Sequence, residues 1–500
     1  MKRLTFLIFF VVLCAASKQV GAQYELQMGK TNGHLWASTM HNALFVGNSG
    51  SDQCWVMHTG TPQQARVGKG KYALVVVDSA LNEKLRLPFQ KARGTSVLGA
   101  TMTDGVAEML LMDQSVHGQT LYLHHNVRIN EMVNVDDAHF VDALFSLDYG
   151  RHDTCKVWVA QSASGQRTAV LTVVQYAGRK QYSAIATLYD EHLRPLWSHD
   201  VETGSVGSIA VSNDGCILAF AHRVNALSTN FFFTVIDSLG SRTTRLQHAD
   251  KAVNQALLVG FDGHQALVLG LYLDTLCKNA RRCSSGRLAM SFDAKTMQIT
   301  ATTLIPYTNY DINTLQNQQC KHQNIDRVVR DVRVIDVIPT PYGAVMQTAC
   351  VATTNHEDDE GNDIGRHTLK GIHLLAVDWR ADTLWQTNIA AYEQRDVDAM
   401  NMGGLMFANA DKLLLVKNEH RRTSSAFGQQ TEARLTSYDK KTSLVLYEVT
   451  LQGKVSKQIL QRKIRFSPLL AFNQGNNGTS LLFEEKGRVL PGRLFFAGGK

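Results

Sequence analysis

Apolar and polar residues alternate in short segments along most of the chain, a pattern typical of β-strands. In several segments an apolar strand runs into an Asp, a few turn residues follow, and a second strand continues. Two examples are VVVDSALNEKLRLPF at Asp78 and MSFDAKTMQITATTL at Asp293. Recurrence mostly at about 50 to 85 residues indicates an all-β repeat protein. The pattern occurs at Asp78, Asp190, Asp237, Asp293, Asp378 and, more loosely, Asp439.

The recurring aspartates have a structural explanation. An Asp carboxylate can accept hydrogen bonds from backbone amides two residues further on, which closes a turn without help from the partner strand. We therefore predict a structural and not a catalytic role for Asp78, Asp190, Asp237, Asp293 and Asp378.

A second turn signal recurs out of phase with the first. Asp, Asn and Gly tolerate the positive φ that tight hairpin turns require. Together the two signals predict units of four antiparallel strands in about fifty residues. The second signal occurs at Gly47 to Gly50, Asp104-Gly105, Ser164-Gly165, Asp214-Gly215, Asp262-Gly263, Tyr342-Gly343, Ala410-Asp411 and Asn476-Asn477-Gly478.

Four-stranded antiparallel units repeated around an axis form a β-propeller, which protects sheet edges by radial closure. The turn signals predict one propeller domain of seven or eight blades over residues 23–500. Its last unit lacks a strand, which the segment near Tyr24 can supply, so that N- and C-terminal strands close the ring. A stack of β-sandwiches is the alternative, but it predicts Pro/Gly linkers, and the chain has only eight prolines.

Helical patterns are scarce. Only NQQCKHQNIDRVVRDVRVID, near residue 325, predicts a turn or two of helix. Four irregular stretches interrupt single units and predict insertions in the blades: residues 274–287, 306–330, 353–370 and 418–432.

The strand and turn pattern of residues 24–497 resembles the divergent β-propellers of bacterial envelope and secreted proteins. The resemblance is one of pattern, because the WD dipeptide of WD40 repeats and the glycine pair of kelch repeats are missing. The segment from Ser212 to Gly215 only approaches the Asp box of sialidases. The resemblance implies an exported scaffold and no particular activity.

Residues 1–22 have the features of a signal peptide. Lys2 and Arg3 precede an uncharged apolar run, and Val20-Gly21-Ala22 offers the small residues that a signal peptidase requires. The run is shorter than the roughly 20 apolar residues of a spanning helix, although an uncleaved anchor is an alternative. We expect an exported protein, periplasmic, associated with the outer surface or secreted, without a transmembrane segment in the mature chain.

The charge of the chain does not predict a nucleic-acid partner. The formal net charge falls from +7 to +4 when Lys2, Arg3 and Lys18 are removed, and charged residues make up only 19% of the chain. A nucleic-acid-binding protein shows a basic stripe with stacking aromatic residues, and the sequence has neither.

The cysteines predict a disulfide. An exported chain meets an oxidising compartment, and an odd number of cysteines leaves at least one unpaired. Cys277 and Cys283 flank a short polar loop, which favours a bridge between them, with Cys320 the main competing partner. Cys216 and Cys350 lie in apolar strands and are predicted to be buried free thiols. The mature chain contains Cys54, Cys155, Cys216, Cys277, Cys283, Cys320 and Cys350.

No catalytic, cofactor or metal site can be assigned from the sequence. The G-x-S-x-G motif and a Gly-rich phosphate cradle are both missing, so no cofactor is predicted. Residues 357–363 are rich in the oxygen ligands that calcium favours, but their spacing departs from a calcium loop. We predict a solvated acidic loop there and no metal.

These features favour a binding protein over an enzyme. We expect an exported propeller that binds a protein or glycan partner at the cell envelope through loops at one end of the ring, because loops on a rigid scaffold carry binding residues. The alternative is a carbohydrate-active enzyme, a glycoside hydrolase or lyase, whose acidic residues converge at the central channel. The sequence leaves the ligand and the oligomeric state open.

We predict that the mature protein begins at Gln23 or at its cyclised form, because Val20-Gly21-Ala22 precedes it. Intact-mass measurement of protein from its native host tests this. Retention of residues 1–22 would contradict both the predicted export and the argument for an oxidising compartment.

Overall fold

A computed structural model describes residues 24–28, 43–49, 52–58, 72–89, 95–103, 105–113, 119–128, 141–148, 154–176, 182–202, 206–225, 228–248, 251–274, 283–316, 329–357, 363–396, 402–409, 412–420, 442–473, 479–485 and 488–496. Residues 1–22 lie outside these ranges, so the signal peptide stays a prediction.

Within the described residues the chain forms eight four-stranded antiparallel sheets. Seven are meanders of strands in chain order, and the eighth combines the first strand of the chain with the last three. The protein is therefore an all-β propeller in which each sheet is a blade, as the sequence predicts. Of the seven or eight blades expected, eight is the observed number.

Strand β1 (Tyr24–Met28) precedes the first four blades. Blade 1 contains β2 (Ala43–Ser49), β3 (Asp52–His58), β4 (Tyr72–Val77) and β5 (Glu83–Phe89). Blade 2 contains β6 (Thr95–Thr103), β7 (Val106–Asp113), β8 (Gln119–Arg128) and β9 (Val141–Asp148). Blade 3 contains β10 (Thr154–Gln161), β11 (Thr168–Gln175), β12 (Tyr182–Tyr189) and β13 (Pro195–Asp200). Blade 4 contains β14 (Ser208–Val211), β15 (Ile217–Asn225), β16 (Ser228–Asp237) and β17 (Gly240–His248).

The second half of the chain adds one helix and a small two-stranded sheet, β20 (Cys283–Ser284) with β23 (Val329–Arg330). Blade 5 contains β18 (Ala252–Phe261), β19 (Gln265–Leu273), β21 (Gly286–Asp293) and β22 (Gln298–Pro306), and helix α1 (Asn309–Gln316) follows it. Blade 6 contains β24 (Val332–Thr340), β25 (Gly343–Glu357), β26 (Asp363–Asp378) and β27 (Thr383–Asp396). Blade 7 contains β28 (Leu405–Asn409), β29 (Lys412–His420), β30 (Thr442–Thr450) and β31 (Val455–Arg462). Blade 8 contains β32 (Ser467–Asn473), β33 (Thr479–Glu485), β34 (Arg488–Phe496) and β1.

Burial shows how the blades are arranged. The second strand of blade 3, β11, is buried at all but its last residue, whereas the fourth strand of blade 4, β17, is mostly exposed. Middle strands covered on both faces are expected to be continuously apolar, as QALVLGLYL in β19 is. First strands of successive blades contact one another in these pairs: β2 with β6, β10 with β14, β14 with β18, β18 with β24, β24 with β28, and β28 with β32.

Asp side chains close the turns between third and fourth strands, which confirms the structural role predicted for them. The Oδ1 atom of Asp190 accepts hydrogen bonds from the amides of His192 and Arg194, each at 2.8 Å. In the remaining four turns an Asp Oδ1 atom likewise accepts a hydrogen bond from a backbone amide. The acceptors and donors are Asp78 with Asn82, Asp237 with Leu239, Asp293 with Lys295, and Asp378 with Arg380. Asp439 lies outside the described residues.

The Gly-containing signals mark turns between first and second strands. Gly165, Gly215 and Gly263 all have positive φ, of 73°, 91° and 99°. The predicted hairpins between β10 and β11, β14 and β15, and β18 and β19 are therefore confirmed. The two recurring signals in the sequence mark alternate turns of one meander.

The two ends of the chain share blade 8. Strand β1 pairs antiparallel with β34, with Tyr24 opposite Phe496, which confirms that the segment near Tyr24 supplies the missing strand. The backbone of Tyr24 also exchanges hydrogen bonds with the Gln458 side chain of blade 7, at 3.0 and 2.7 Å. On the other side, the Gln53 side-chain amide of blade 1 lies within hydrogen-bonding distance of Ser480 and Arg493.

The turn or two of helix predicted near residue 325 lies outside the described residues. The second half of the segment that contains it is largely strand, because residues 329–330 form β23 and β24 begins at Val332. The apolar residues of this half alternate as VRVIDVI, and strand pairing with β25 decides its conformation. The described helix, α1 at 309–316, was not predicted from the sequence, and residues 317–328 lie outside the described residues.

Among the described residues no helix is long and apolar enough to span a membrane. The one described α-helix, α1, contains only eight residues.

We predict that deletion of residues 479–500 lowers the melting temperature of the whole protein or causes aggregation. The deletion removes β33 and β34 and leaves β1 and β32 with unpaired edges, which promote aggregation. Differential scanning calorimetry and size-exclusion chromatography measure the two effects.

Removal of residues 497–500 alone is the control, because β34 ends at Phe496. This shorter deletion should leave the melting temperature unchanged. A protein that lacks residues 479–500, stays monomeric and melts like the full mature chain would rule out closure by the terminal strands.

Candidate functional site

The direction of the strands divides the connections of each blade between two ends. Turns between first and second strands and between third and fourth strands lie at one end, here called the turn end. Connections between second and third strands and between blades lie at the opposite end, the loop end. The connections that follow β19, β22, β25 and β29 are the insertions predicted from the sequence, and all four leave blades 5 to 7 at the loop end.

One predicted insertion is largely regular structure. Residues 353–357 and 363–370 belong to β25 and β26. Within this stretch the two strands pair from Thr353 opposite His367 to Glu357 opposite Asp363. Val332, the first residue of β24, pairs with Cys350 of β25. Strand β25 continues beyond Cys350 to Glu357, and β26 pairs with it there. Blade 6 therefore extends beyond its own first strand at the loop end.

Helix α1 belongs to the connection between blades 5 and 6, and its first turn is fixed by reciprocal hydrogen bonds. The Asp311 amide donates to Thr308 Oγ1 at 3.1 Å, and the Thr308 amide donates to Asp311 Oδ2 at 2.9 Å. This is a capping box with Asp in place of Glu, which satisfies two amides that the helix itself cannot. The capping residues therefore begin the helix at a fixed point.

The carboxylate that caps α1 is also the centre of a buried polar cluster. Arg287 of β21 donates from Nη2 to Asp311 Oδ2 at 3.0 Å, and Asn388 of β27 donates to Asp311 Oδ1 at 3.0 Å. His373 of β26 places Nε2 3.4 Å from Asp311 Oδ1. The side chains of Arg287 and His373 have no exposed surface. The cluster joins blade 5, α1 and blade 6.

His373 is neutral in this cluster. Arg287 Nη1 lies 2.7 Å from His373 Nδ1 and closer still to Nε2, so the imidazole faces a guanidinium group that disfavours its protonated form. Burial and, to a smaller extent, the Arg287 guanidinium lower the pKa of His373 to about 3. The Arg287 guanidinium also lies over the Tyr307 ring, 4.7 Å from its centroid.

Burial alone would raise the pKa of Asp311. The Arg287 guanidinium and the hydrogen bonds from the Asn388 side chain and the Thr308 amide hold the pKa of Asp311 below its ordinary value. Asp311 is therefore an ionised partner for Arg287 at neutral pH.

Helix α1 packs closely on blade 6 because β26 contains a glycine at the contact. Gly371 has φ of 67° and lies at a bulge between Lys370 and Ile372. A Cβ atom at this position would lie 2.1 Å from the carbonyl oxygen of Thr314 in α1. Only glycine combines this φ with this close approach, so the sequence allows the helix to lie directly on the strand.

A second ionic cluster lies at the loop end of blade 7. The Glu419 carboxylate, near the end of β29, accepts short hydrogen bonds from Tyr447 and Lys457 and lies 3.5 Å from Lys417 Nζ. Burial would raise the pKa of Glu419, but the two lysines and the hydrogen bonds lower it. The strand end that leads into the connection after β29 is therefore held by ionic contacts.

The loop end also carries an exposed aromatic residue. Tyr310 in α1 is 56% exposed, although the helix below it is held by the buried cluster. A large amphipathic side chain on a rigid support is a typical anchor for a partner. The loop end can therefore present a fixed contact surface.

The predicted cysteine sites are only partly described. Cys54, Cys216 and Cys350 are free thiols, as predicted for Cys216 and Cys350. Cys54 and Cys350 are buried, whereas Cys216 is half-buried. Cys277 and Cys320 lie outside the described residues, so the pairing of Cys283 with Cys277 stays a prediction.

The acidic stretch 357–363 is described only at its two ends, Glu357 and Asp363. The described residues contain no group of His, Cys, Asp and Glu side chains that could hold a metal ion. Calcium binding by the acidic stretch itself is untested, because residues 358–362 lie outside the described ranges.

The first strands of successive blades contact one another and therefore lie closest to the axis of the propeller. Their charged residues are the ones that the blades bring close to this axis. As bounded in the structure, the first strands contain only three charged residues, Lys156, Arg333 and Asp336. Burial raises the pKa of Asp336, although the Val337 amide donates a hydrogen bond to its carboxylate. A glycoside hydrolase of the usual kind requires two carboxylates, and these described strands supply one.

The buried cluster was not predicted from the sequence. Thr308-x-x-Asp311 is a local signal that could have located the start of α1. Arg287 and His373 carry no such signal, because they come together only through the packing of two blades that are distant in sequence.

The comparisons with known proteins identify no family. The sequence matches no protein-family profile and no curated protein. One similar solved structure, from a study of two prolyl endopeptidases, has a TM-score of 0.39 and 7% sequence identity, covering 90% of this chain and 55% of the peptidase. Prolyl oligopeptidase B from Galerina marginata gives a TM-score of 0.39 and 9% identity, over 89% of this chain and 56% of the peptidase.

The polysaccharide lyase Uly1 is also similar, with a TM-score of 0.37 and 9% identity, covering 80% of this chain and 89% of the lyase. The chain spans little more than half the length of the two peptidases. With these scores and identities, none of the three likenesses indicates an activity. The eight blades themselves define the class, a β-propeller.

We predict that His373 makes the protein less stable as the pH falls below 6.5. The unfolded chain takes up a proton near pH 6.5, whereas folded His373 stays neutral until the pH approaches about 3. Between these values the unfolded state binds more protons, so the free energy of unfolding falls by up to about 1.4 kcal/mol per pH unit. Urea unfolding at pH 7.5, 6.0 and 5.0 measures this dependence.

The variant His373→Gln should show a smaller fall over the same pH range, even if it is less stable at pH 7.5. His264→Gln, which changes an exposed histidine in a turn of blade 5, is the control and should behave like the unchanged protein. Equal pH dependence in all three proteins would contradict a buried neutral His373.

Proposed function

We propose that the protein is an exported β-propeller that binds a protein or glycan partner through the loop end of blades 5 to 7. The observation that carries this proposal is the location of the long connections. The four insertions of blades 5 to 7 leave at the loop end, whereas the turn end of blades 3 to 6 has short turns closed by Asp and Gly. Binding residues concentrate on loops that a rigid scaffold holds.

The rigidity of this end supports the proposal. The Arg287–Asp311–His373 cluster fixes α1 between two blades, and the Glu419 cluster holds the end of β29. A partner that binds a rigid surface loses less conformational entropy than one that must order flexible elements. The loop end of blades 5 to 7 is therefore suited to binding.

Tyr310 is the residue we expect to contribute most among the described side chains of this face. Tyrosine is enriched among the residues that dominate binding energy. The Tyr310 side chain is largely exposed, so it is available to a partner without a conformational change.

The alternative function is a carbohydrate-active enzyme with acidic residues at the central channel. This alternative receives less support, because the described first strands provide only Asp336 as a carboxylate. Carboxylates from other segments would have to supply the second group. Incubation with polysaccharides, followed by measurement of new reducing ends and of absorbance from unsaturated products, tests for hydrolase and lyase activity.

A pull-down from envelope extracts of the native host tests the binding function, with three forms of the mature protein as bait. The unchanged protein should retain a specific partner, and Tyr310→Ala should lose at least about tenfold of it, since truncation of such an anchor costs about 2 kcal/mol or more. Quantitative mass spectrometry of the retained proteins, and glycan profiling of the same eluate, measure the result.

Tyr342→Ala is the matched control. Tyr342 is 58% exposed and lies in the turn between β24 and β25, at the turn end. This variant should retain the partner as the unchanged protein does. Equal loss in both variants, or loss only with Tyr342→Ala, would contradict binding at the loop end.

A further inference from the structure

The turn end contains a cavity that the binding function does not use. The cavity has a volume of about 420 Å³ and lies where the turns of blades 3, 4 and 5 meet. Cavities that hold small ligands have volumes of about 300 to 1,000 Å³. Its size therefore suits a ligand such as a single sugar unit.

Three cationic side chains line the cavity: Arg167 of blade 3, Arg242 of blade 4 and Lys295 of blade 5. None of the three forms an ion pair with a carboxylate among the described residues. Arg242 lies on the outer strand β17 and is exposed. These charges are available to an anionic group from solvent.

The two carboxylates of the cavity are already engaged in the turns. Asp214 accepts a short hydrogen bond from Ser212 Oγ, and Asp237 accepts one from the Leu239 amide at 2.8 Å. They give the cavity two negative charges against three positive ones. The excess of positive charge, spread over three blades, favours an anion over a cation.

The floor of the cavity is rigid. Ser212 Oγ accepts a hydrogen bond from the Cys216 amide at 2.9 Å, which holds the turn that contains Asp214. A Cβ atom on Gly263, whose φ is 99°, would lie 3.0 Å from Asp214 Oδ2, so the adjacent turn packs against this carboxylate. The turns are therefore ordered before a ligand arrives, which lowers the entropic cost of binding.

One wall of the cavity is apolar. Trp197 and Leu196 of β13 line it, and Leu196 is 49% exposed. An indole ring offers a flat apolar surface that can pack against the face of a ligand ring. The Cys216 thiol also lines the cavity, but burial raises its pKa to about 12, so the thiol is protonated and does not act as a nucleophile.

We propose that this cavity binds an acidic sugar. The carboxylate of the sugar pairs with Arg242 and Arg167, because a guanidinium group matches a carboxylate in geometry and charge. The sugar ring lies against Trp197. The site is separate from the loop end, so one protein can hold an acidic glycan at the turn end and a second partner at the loop end.

Isothermal titration calorimetry of the mature protein with trigalacturonic acid tests the proposal. The methyl ester of the same trimer is a neutral probe of equal shape, and inorganic sulfate is an anion without a ring. We expect the acid to bind at least about tenfold more tightly than the ester, which lacks the charge-assisted hydrogen bonds. The acid should also bind more tightly than sulfate, since only the acid can pack against Trp197.

Arg242→Gln and Arg167→Gln should each weaken binding of the acid by at least about tenfold. Arg223→Gln is the control, because it removes the same charge from an exposed residue of the same blade as Arg242, on β15 and outside the cavity. The control should bind like the unchanged protein. Melting temperatures of the variants show whether they fold.

Absence of binding, equal binding of acid and ester, or equal binding by Arg242→Gln and Arg223→Gln would each overturn the proposal. Binding of sulfate as tightly as the acid would overturn the assignment of a sugar. Tyr310→Ala should leave the titration unchanged, and Arg242→Gln should leave partner retention at the loop end unchanged. Failure of one site is therefore distinguishable from failure of the other.

Discussion

The apolar contact between neighbouring blades is the interaction on which the rest of this structure depends. Middle strands such as β11 and β19 are buried on both faces, so a single blade cannot cover its own apolar surface. Between blades 4 and 5, for example, the rings of Phe233 and Phe292 stack with their centroids 3.9 Å apart. Each blade is thus stable only in contact with its neighbours, as is general for repeat proteins. The first and last strands of the chain are paired within this arrangement.

The contact between blades 5 and 6 is also polar. Arg287, Asp311 and His373 are buried there with α1, and burial of charged groups carries a desolvation cost that ion pairing offsets only in part. Apolar packing leaves the orientation of a helix loosely determined, whereas hydrogen bonds from two blades to one carboxylate define it. We infer that the cluster contributes more to the placement of α1 than to the stability of the protein.

The two ends of the blades have different physical characters. At the turn end, Asp carboxylates and positive-φ glycines close tight turns, and the charged side chains of three blades surround one cavity. At the loop end of blades 5 to 7, the connections contain long insertions, and buried ionic clusters hold the elements that lead into them. The strand count of four is the cause of this division, because an even number of antiparallel strands returns every blade-to-blade connection to the same end. Insertions at these connections and between second and third strands therefore accumulate on one face.

The sequence by itself determined the all-β class, the four-stranded unit, the role of the recurring aspartates, and the strand that the N-terminus supplies to the last blade. These features depend on local chemistry: alternation of apolar residues, Asp carboxylates that cap their own turns, and glycines at positive φ. Tertiary structure decided the number of blades, the strand pairing of residues 332–340, and the location of α1. It also brought together Arg287 with His373, and Arg167 with Arg242, which are distant in sequence. Local sequence cannot encode such pairs, because only the packing of separate blades places both residues at one site.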